Sequence, residues 1–134
     1  MTQNLDKPCG QLLLRTLAMP GDTNTNGDIF GGWIMSQMDI AGGIRAQEIA
    51  QGPIVTVAVD SMKFIKPVQV GDVVCCYGSV IRLGTTSVAL KLEVWIRPRQ
   101  CHDGDSGPRY KVTEAAFTYV AIDENGAKRM IPRP

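Results

Sequence analysis

One stretch of this 134-residue chain carries a sustained helical pattern, and it lies among strands rather than at an end. From Gly31 to Ala50 (GGWIMSQMDIAGGIRAQEIA), apolar residues at Ile34, Met35, Met38, Ala41, Ile44 and Ile49 recur at spacings of three and four. One broad face is therefore apolar, as a core-facing helix requires. A solitary helix among strands must pack on the sheet those strands form, which limits the chain to an α+β layout with the helix at its centre. Asp39 interrupts the apolar face. An ionised carboxylate is expensive to bury without partners, so this one is either paired, for instance with a cation on a neighbouring strand, or used.

Before the helix, Leu12 to Met19 reads as a strand. Residues 20–28 (PGDTNTNGD) then hold a proline, two glycines, two aspartates and two asparagines in nine positions, a dense loop signal of the kind that carries function. After it, Gly52-Pro53 stops the helix, and Ile54 to Ile65 is β-branched and long enough for a central strand. Val73 to Leu83 and Thr86 to Arg97 follow, joined at Gly84-Thr85. In the second of these, Val88, Leu90, Leu92, Val94 and Ile96 share a core face, while Lys91, Glu93 and Arg97 share a face that should meet solvent. Pro98 to Pro108 is a second turn-rich loop, and Arg109 to Asp123 is the last strand. The expected fold is an antiparallel sheet of about five strands with hairpin-scale connections, wrapped on one helix. Such a sheet covers its helix on one side only, so edge strands and the rest of the apolar stripe call for a second copy.

Length fits one domain, 1–134, with residues 1–10 as a flexible lead-in. Hydrophobic content of 44% with 20% charged residues is ordinary for a globular protein, and a formal charge of +1 offers no global field for nucleic acid or anionic lipid. No apolar run is long enough to span a bilayer, and the N-terminus lacks a signal-peptide pattern, so the expected compartment is the cytoplasm. The four cysteines form no CxxC or His/Cys cluster and are expected to be reduced and structural, with no metal bound.

The loop MPGDTNTNGDIFGG, the helix WIMSQMDIAGG and the later FIKPVQVGD turn, with Phe64, Pro67, Gly71 and Asp72, together resemble the hotdog-fold acyl-CoA thioesterases, within them the YciA-like group. The resemblance runs from Leu12 to Pro132. It implies a hotdog fold, hydrolysis of acyl-CoA to a free acid and coenzyme A, no cofactor beyond the coenzyme A of substrate and product, and homo-oligomers built from dimers, three to a hexamer.

It also implies roles for particular residues. Asp39 would be the acid that activates water or attacks the thioester carbonyl; the residues do not choose between general base and nucleophile. Gly42 and Gly43, one turn on, leave bare backbone where a ligand could come close. Gly31 and Gly32 stand where the first unpaired amides of the helix lie and would donate to the thioester oxygen; the plainer reading is that they let the helix start pack tightly. Asn24 matches the loop asparagine that works with the acid from the neighbouring subunit. Asn26 is its alternative, and either asparagine could simply form an Asx-turn. For the phosphates of coenzyme A, the candidates are Lys66, Arg82 and the turn Gly84-Thr85-Thr86-Ser87. His102, the only histidine, sits in the second loop, away from the central helix, where hotdog dehydratases carry theirs. The competing expectations are a non-catalytic acyl-CoA sensing module on the same fold, and a structural oligomerisation domain in which Asp39 is merely paired.

Overall fold

The computed structural model describes residues 7–99, 107–108 and 110–133. Five strands and one helix make up the architecture: β1 (Gln11–Leu17), α1 (Gly31–Ala50), β2 (Ile54–Phe64), β3 (Val73–Leu83), β4 (Ser87–Arg97) and β5 (Tyr110–Ala121). The strands form one antiparallel sheet in the order β1-β3-β4-β5-β2, curved around α1. This is the α+β layout expected from the sequence. The helix matches the expected bounds, Gly31–Ala50, because a Gly-Gly pair precedes its periodic pattern and Gln51, in the left-handed conformation (φ 54°), closes it.

Two expectations for the strands need correction. Among the described residues, only β3, β4 and β5 form a hairpin-connected meander; the segment between β2 and β3 crosses the sheet and places β2 at the far edge, paired there only with β5. The β-branched Ile54–Phe64 is therefore an edge strand of the chain, not a central one. Second, the outer face of β4 does not simply meet solvent: Glu93 and Trp95 are buried there, as is Cys75 on β3. Glu93 tolerates burial because Oε1 accepts from Trp95 Nε1 at 2.9 Å and Cys9 N at 3.1 Å, while the ammonium groups of Lys91 and Lys111 lie 3.6 and 3.8 Å from Oε2. The expectations for Cys101 and His102 fall outside the described residues. Cys9, Cys75 and Cys76 are free thiols, and burial pushes that of Cys76 up to about 12.

The inner face carries the core expected for β4, with Val88, Leu90, Leu92, Val94 and Ile96 all buried against Ile34, Met38, Ala41, Ala46 and Ala50 of α1. Met35 and Ile44, expected in that core, are instead exposed, along with Ile40. The sheet reaches only one side of the helix. Val55, Val57 and Val59 on edge strand β2 are exposed as well. An uncovered apolar helix flank together with an unpaired valine-rich edge is a surface that a soluble protein covers. No stable monomer is expected: sedimentation at micromolar concentration should show a dimer or larger, and a compact, active 14.6 kDa species would contradict this.

Among the described residues, no helix is long and apolar enough to cross a membrane.

Candidate active site

Asp39 sits two turns into α1, half-buried at the margin of the packed face. Below it, Thr56 on β2 and Tyr119 on β5 are cross-strand partners, so their side chains leave the same face of the sheet next to each other. Both hydroxyls reach the same carboxylate oxygen: Thr56 Oγ1 donates to Asp39 Oδ1 at 2.7 Å and Tyr119 OH donates to it at 3.1 Å. The Tyr119 hydroxyl also lies 3.3 Å from the Asp39 carbonyl oxygen. Among the described residues, no ion pair involves Asp39 and nothing donates to Oδ2. The salt-bridged alternative raised by the sequence is thus not what holds this carboxylate; neutral hydroxyls do.

Tyr119 is a firm support. It is fully buried and stacked on Phe117, with ring centroids 6.3 Å apart and planes 20° apart. Burial, and then the adjacent Asp39 carboxylate, push its phenol far above the ordinary range, so the proton stays on and the hydroxyl serves Asp39 as a donor. Gly42 makes room for this. A methyl group there would collide with the Tyr119 hydroxyl and approach Leu92 Cδ1 to 3.0 Å. The bare backbone at Gly42 is therefore filled by the protein itself, not left open to a ligand. Gly43 is looser, with Ile54 Cδ1 3.9 Å from where its Cβ would be. Met35, Ser36, Asp39, Thr56, Val59 and Phe117 line an open cleft of about 210 Å³.

A second cleft, of about 290 Å³, opens at the N-terminus of α1, with Asn24, Gly31, Phe64 and Lys66 in its walls. The turn after β2 builds it. Val68 O accepts from Ile29 N at 2.8 Å, Asp22 O accepts from Phe30 N at 3.0 Å, and the buried Asp72 closes the turn by accepting from Gln69 N at 2.9 Å. Phe30 occupies the N-cap and supplies no side-chain acceptor, while Trp33 N bonds back to Phe30 O at 3.1 Å. The amides of Gly31 and Gly32 thus begin the helix without a capping partner among the described residues, the condition in which a helix start attracts negative charge. An added Cβ would lie 3.3 Å from the Phe64 ring at Gly31 and 3.2 Å from the Phe30 ring at Gly32, so tight packing is part of their role too.

Asn24 Oδ1 accepts from Asn26 N at 2.8 Å and Asp28 N at 3.2 Å. It is the Asx-turn former of its loop, and Asn26 supplies one of the amides that Asn24 holds. With Oδ1 committed to the loop, the Nδ2 end of Asn24 has no partner among the described residues.

Lys66 faces this cleft, with its ammonium 4.8 Å from the Tyr110 ring centroid. Arg82 and the turn Gly84-Thr85-Thr86-Ser87 do not join it. Ser87 pairs with Val120 at the other end of β5, ten residues or roughly 33 Å along the strand from Tyr110. That turn is clasped by the C-terminal segment, with Gly84 O accepting from Arg133 at 2.6 Å and Thr85 O from Ile131 N at 2.9 Å. The expected phosphate-binding group is therefore divided between the two ends of the sheet within one chain. Among the described residues, no group of three or more His, Cys, Asp or Glu is placed to hold a metal ion.

Asp39 and Gly31 are also apart. Eight residues of helix separate them by about 12 Å, and they open into different clefts. The sequence reading missed Thr56 and Tyr119. Their one signal was alternation in β5, which sets Phe117, Tyr119 and Ala121 on the core face.

The model for the Thioesterase superfamily matches residues 26–101. The acyl-CoA thioester hydrolase YciA of Escherichia coli is 56% identical over 98% of this chain and 98% of its own length. A hexameric broad specificity acyl-coenzyme A thioesterase, solved as an aspartate-to-alanine variant, superposes with a TM-score of 0.87 at 61% identity, covering 93% of this chain and 88% of that one. An acyl-CoA hydrolase from Staphylococcus aureus, solved with butyryl coenzyme A and coenzyme A, is 28% identical with a TM-score of 0.77, covering 89% of this chain and 70% of that one. It was also solved as an aspartate-to-alanine and as an asparagine-to-alanine variant.

Proposed function

This chain belongs to the Thioesterase superfamily, and from that membership we propose that it is a hotdog-fold acyl-CoA thioesterase of the YciA-like group, acting in the cytoplasm as one domain in a homo-oligomer. The reaction takes an acyl-CoA and water to a free carboxylic acid and coenzyme A, with coenzyme A present only as part of substrate and product. The observation that carries the reading is Asp39, a carboxylate on a mostly apolar helix with one oxygen tied to two hydroxyls, the other without a partner among the described residues, and an open cleft beside it.

In this reading the Asp39 carboxylate takes a proton from the attacking water, or itself attacks the carbonyl carbon. Either route drives negative charge onto the thioester oxygen before the sulfur leaves, and the uncapped amides of Gly31 and Gly32 are the donors for that charge. Because one thioester cannot bridge about 12 Å of helix, the amides and the acid that meet it come from different protomers. The exposed flank of α1 and the β2 edge are where two copies would meet, each placing its Asn24 loop and helix start against the other's Asp39. One relative supports the pairing of residues: the aspartate and asparagine varied in the Staphylococcus aureus hydrolase are fifteen positions apart, the spacing of Asn24 and Asp39. The similar thioesterase is hexameric, and three such dimers would make a hexamer of this chain. For the phosphates we retain Lys66 beside the helix start, and Arg82 with Gly84, Thr85, Thr86 and Ser87 as a group that only another protomer could bring near it.

The test is direct. Purified protein mixed with a panel of acyl-CoAs and a thiol reagent should release free coenzyme A well above the uncatalysed rate. Binding of acyl-CoA without release would favour a sensing module, and neither binding nor release a structural role.

A further inference from the structure

The hydroxyls below Asp39 point to a role that the reaction scheme does not assign. The terminal torsion of an aspartate is broad, and a carboxylate on a half-exposed helix position can present either oxygen to a cleft. Here that freedom is removed. Thr56 and Tyr119 approach from two adjacent strands and converge on Oδ1, at 2.7 and 3.1 Å, while Oδ2 accepts nothing from the described residues.

The surrounding structure is arranged to keep both donors in place. The Tyr119 ring is fixed by burial and by stacking on Phe117, and its hydroxyl occupies the space that any side chain at residue 42 would need. Thr56 stands beside an irregularity in β2, where the register with β5 shifts between Thr56 and Ala58. A bulge re-aims side chains in an edge strand. Tyr119 is fully buried and lines neither cleft, while Thr56, in the wall of the Asp39 cleft, gives its hydroxyl proton to Oδ1 and so has none for the carbonyl oxygen.

We propose that Thr56 and Tyr119 are positioning residues that lock Oδ1 of Asp39 and so reserve Oδ2 as the single oxygen that meets water or the thioester carbonyl. The assignment rests on the reading of Asp39 as the reacting acid. Catalytic groups must be held within about 0.5 Å of the productive geometry, and a misplacement of about 1 Å can lower a rate a hundredfold. Removing either hydroxyl frees the carboxylate to rotate without altering the helix start or the phosphate-binding candidates.

The experiment compares Thr56→Val, Thr56→Ser, Tyr119→Phe and Asp39→Asn in steady-state acyl-CoA hydrolysis, with melting temperature and coenzyme A binding measured for each. Thr56 lies exposed on an edge strand and valine matches its shape, so Thr56→Val tests the proposal even if Tyr119→Phe folds poorly. Thr56→Val and Tyr119→Phe should lose about ten- to a hundredfold in kcat with KM and coenzyme A binding unchanged, and Thr56→Ser should recover most of the loss. Wild-type kcat in folded Thr56→Val, or a serine variant as impaired as the valine one, would overturn the proposal. The two readings fail separately: an active Asp39→Asn removes the acid and its positioning together, whereas an inactive Asp39→Asn beside a fully active Thr56→Val removes the positioning alone.

Discussion

Asp39→Asn should yield a folded, assembled protein whose acyl-CoA turnover has fallen by about 10²- to 10⁴-fold, the range ascribed to a positioned general base. The structure explains why the fold should survive. An asparagine oxygen can still accept from Thr56 Oγ1 and Tyr119 OH, so neither hydroxyl loses its partner, and Tyr119 keeps its fully buried place against Phe117. What changes is the other end of the side chain, where an amide nitrogen replaces a carboxylate oxygen and can neither take a proton from water nor attack a carbonyl. Coenzyme A binding should persist, because the phosphate-binding candidates lie elsewhere. Release of thiol from an acyl-CoA, followed at equal concentrations of wild-type and variant, checks the result. Near-normal turnover by a folded variant would mean that another group does the chemistry.

That Asp39 could be singled out from sequence has a physical basis. A carboxylate among Met35, Met38, Ala41 and Ile44 breaks a pattern that is otherwise apolar, and such breaks fall where a site needs them. The helix was equally legible, since its period is local and glycines flank it. The strand order was not. A valine-rich run such as Ile54–Phe64 looks the same whether another strand of its own chain or another copy completes its edge, and its exposed valines favour the second. Glu93 misled for a related reason: alternation assigns a face, but not whether Trp95, Cys9 and two lysines will gather there to satisfy a buried carboxylate. Thr56 and Tyr119 were hidden because their function depends on register, and register between β2 and β5 includes irregularities that no sequence period encodes. The phosphate-binding candidates were chosen by residue type alone, and the sheet separates what charge had grouped.

A mixed dimer tests the shared site most severely, because restoring activity from two inactive proteins is a gain that damage to folding cannot produce. Asn24→Ala removes both ends of the side chain, including the oxygen that holds Asn26 N and Asp28 N, so Asn24→Asp serves as its companion: it keeps that acceptor and puts a carboxylate oxygen in place of the Nδ2 donor. Each, like Asp39→Asn, should be nearly inactive as a homo-oligomer. If the Asn24 loop of one protomer completes the site around Asp39 of the other, a dimer of one Asn24 variant and one Asp39 variant has one site with both defects and one with neither. Dissociation and reassociation of the mixture should then recover close to half the wild-type activity per mixed dimer, measured by thiol release once mass spectrometry of the native assembly shows that mixed dimers have formed. The helix geometry makes the alternative explicit. If Asn24, in the loop before the helix, and Asp39, about 12 Å along the helix from Gly31, served one site within a chain, every site in the mixed dimer would carry one defect, and no activity would return.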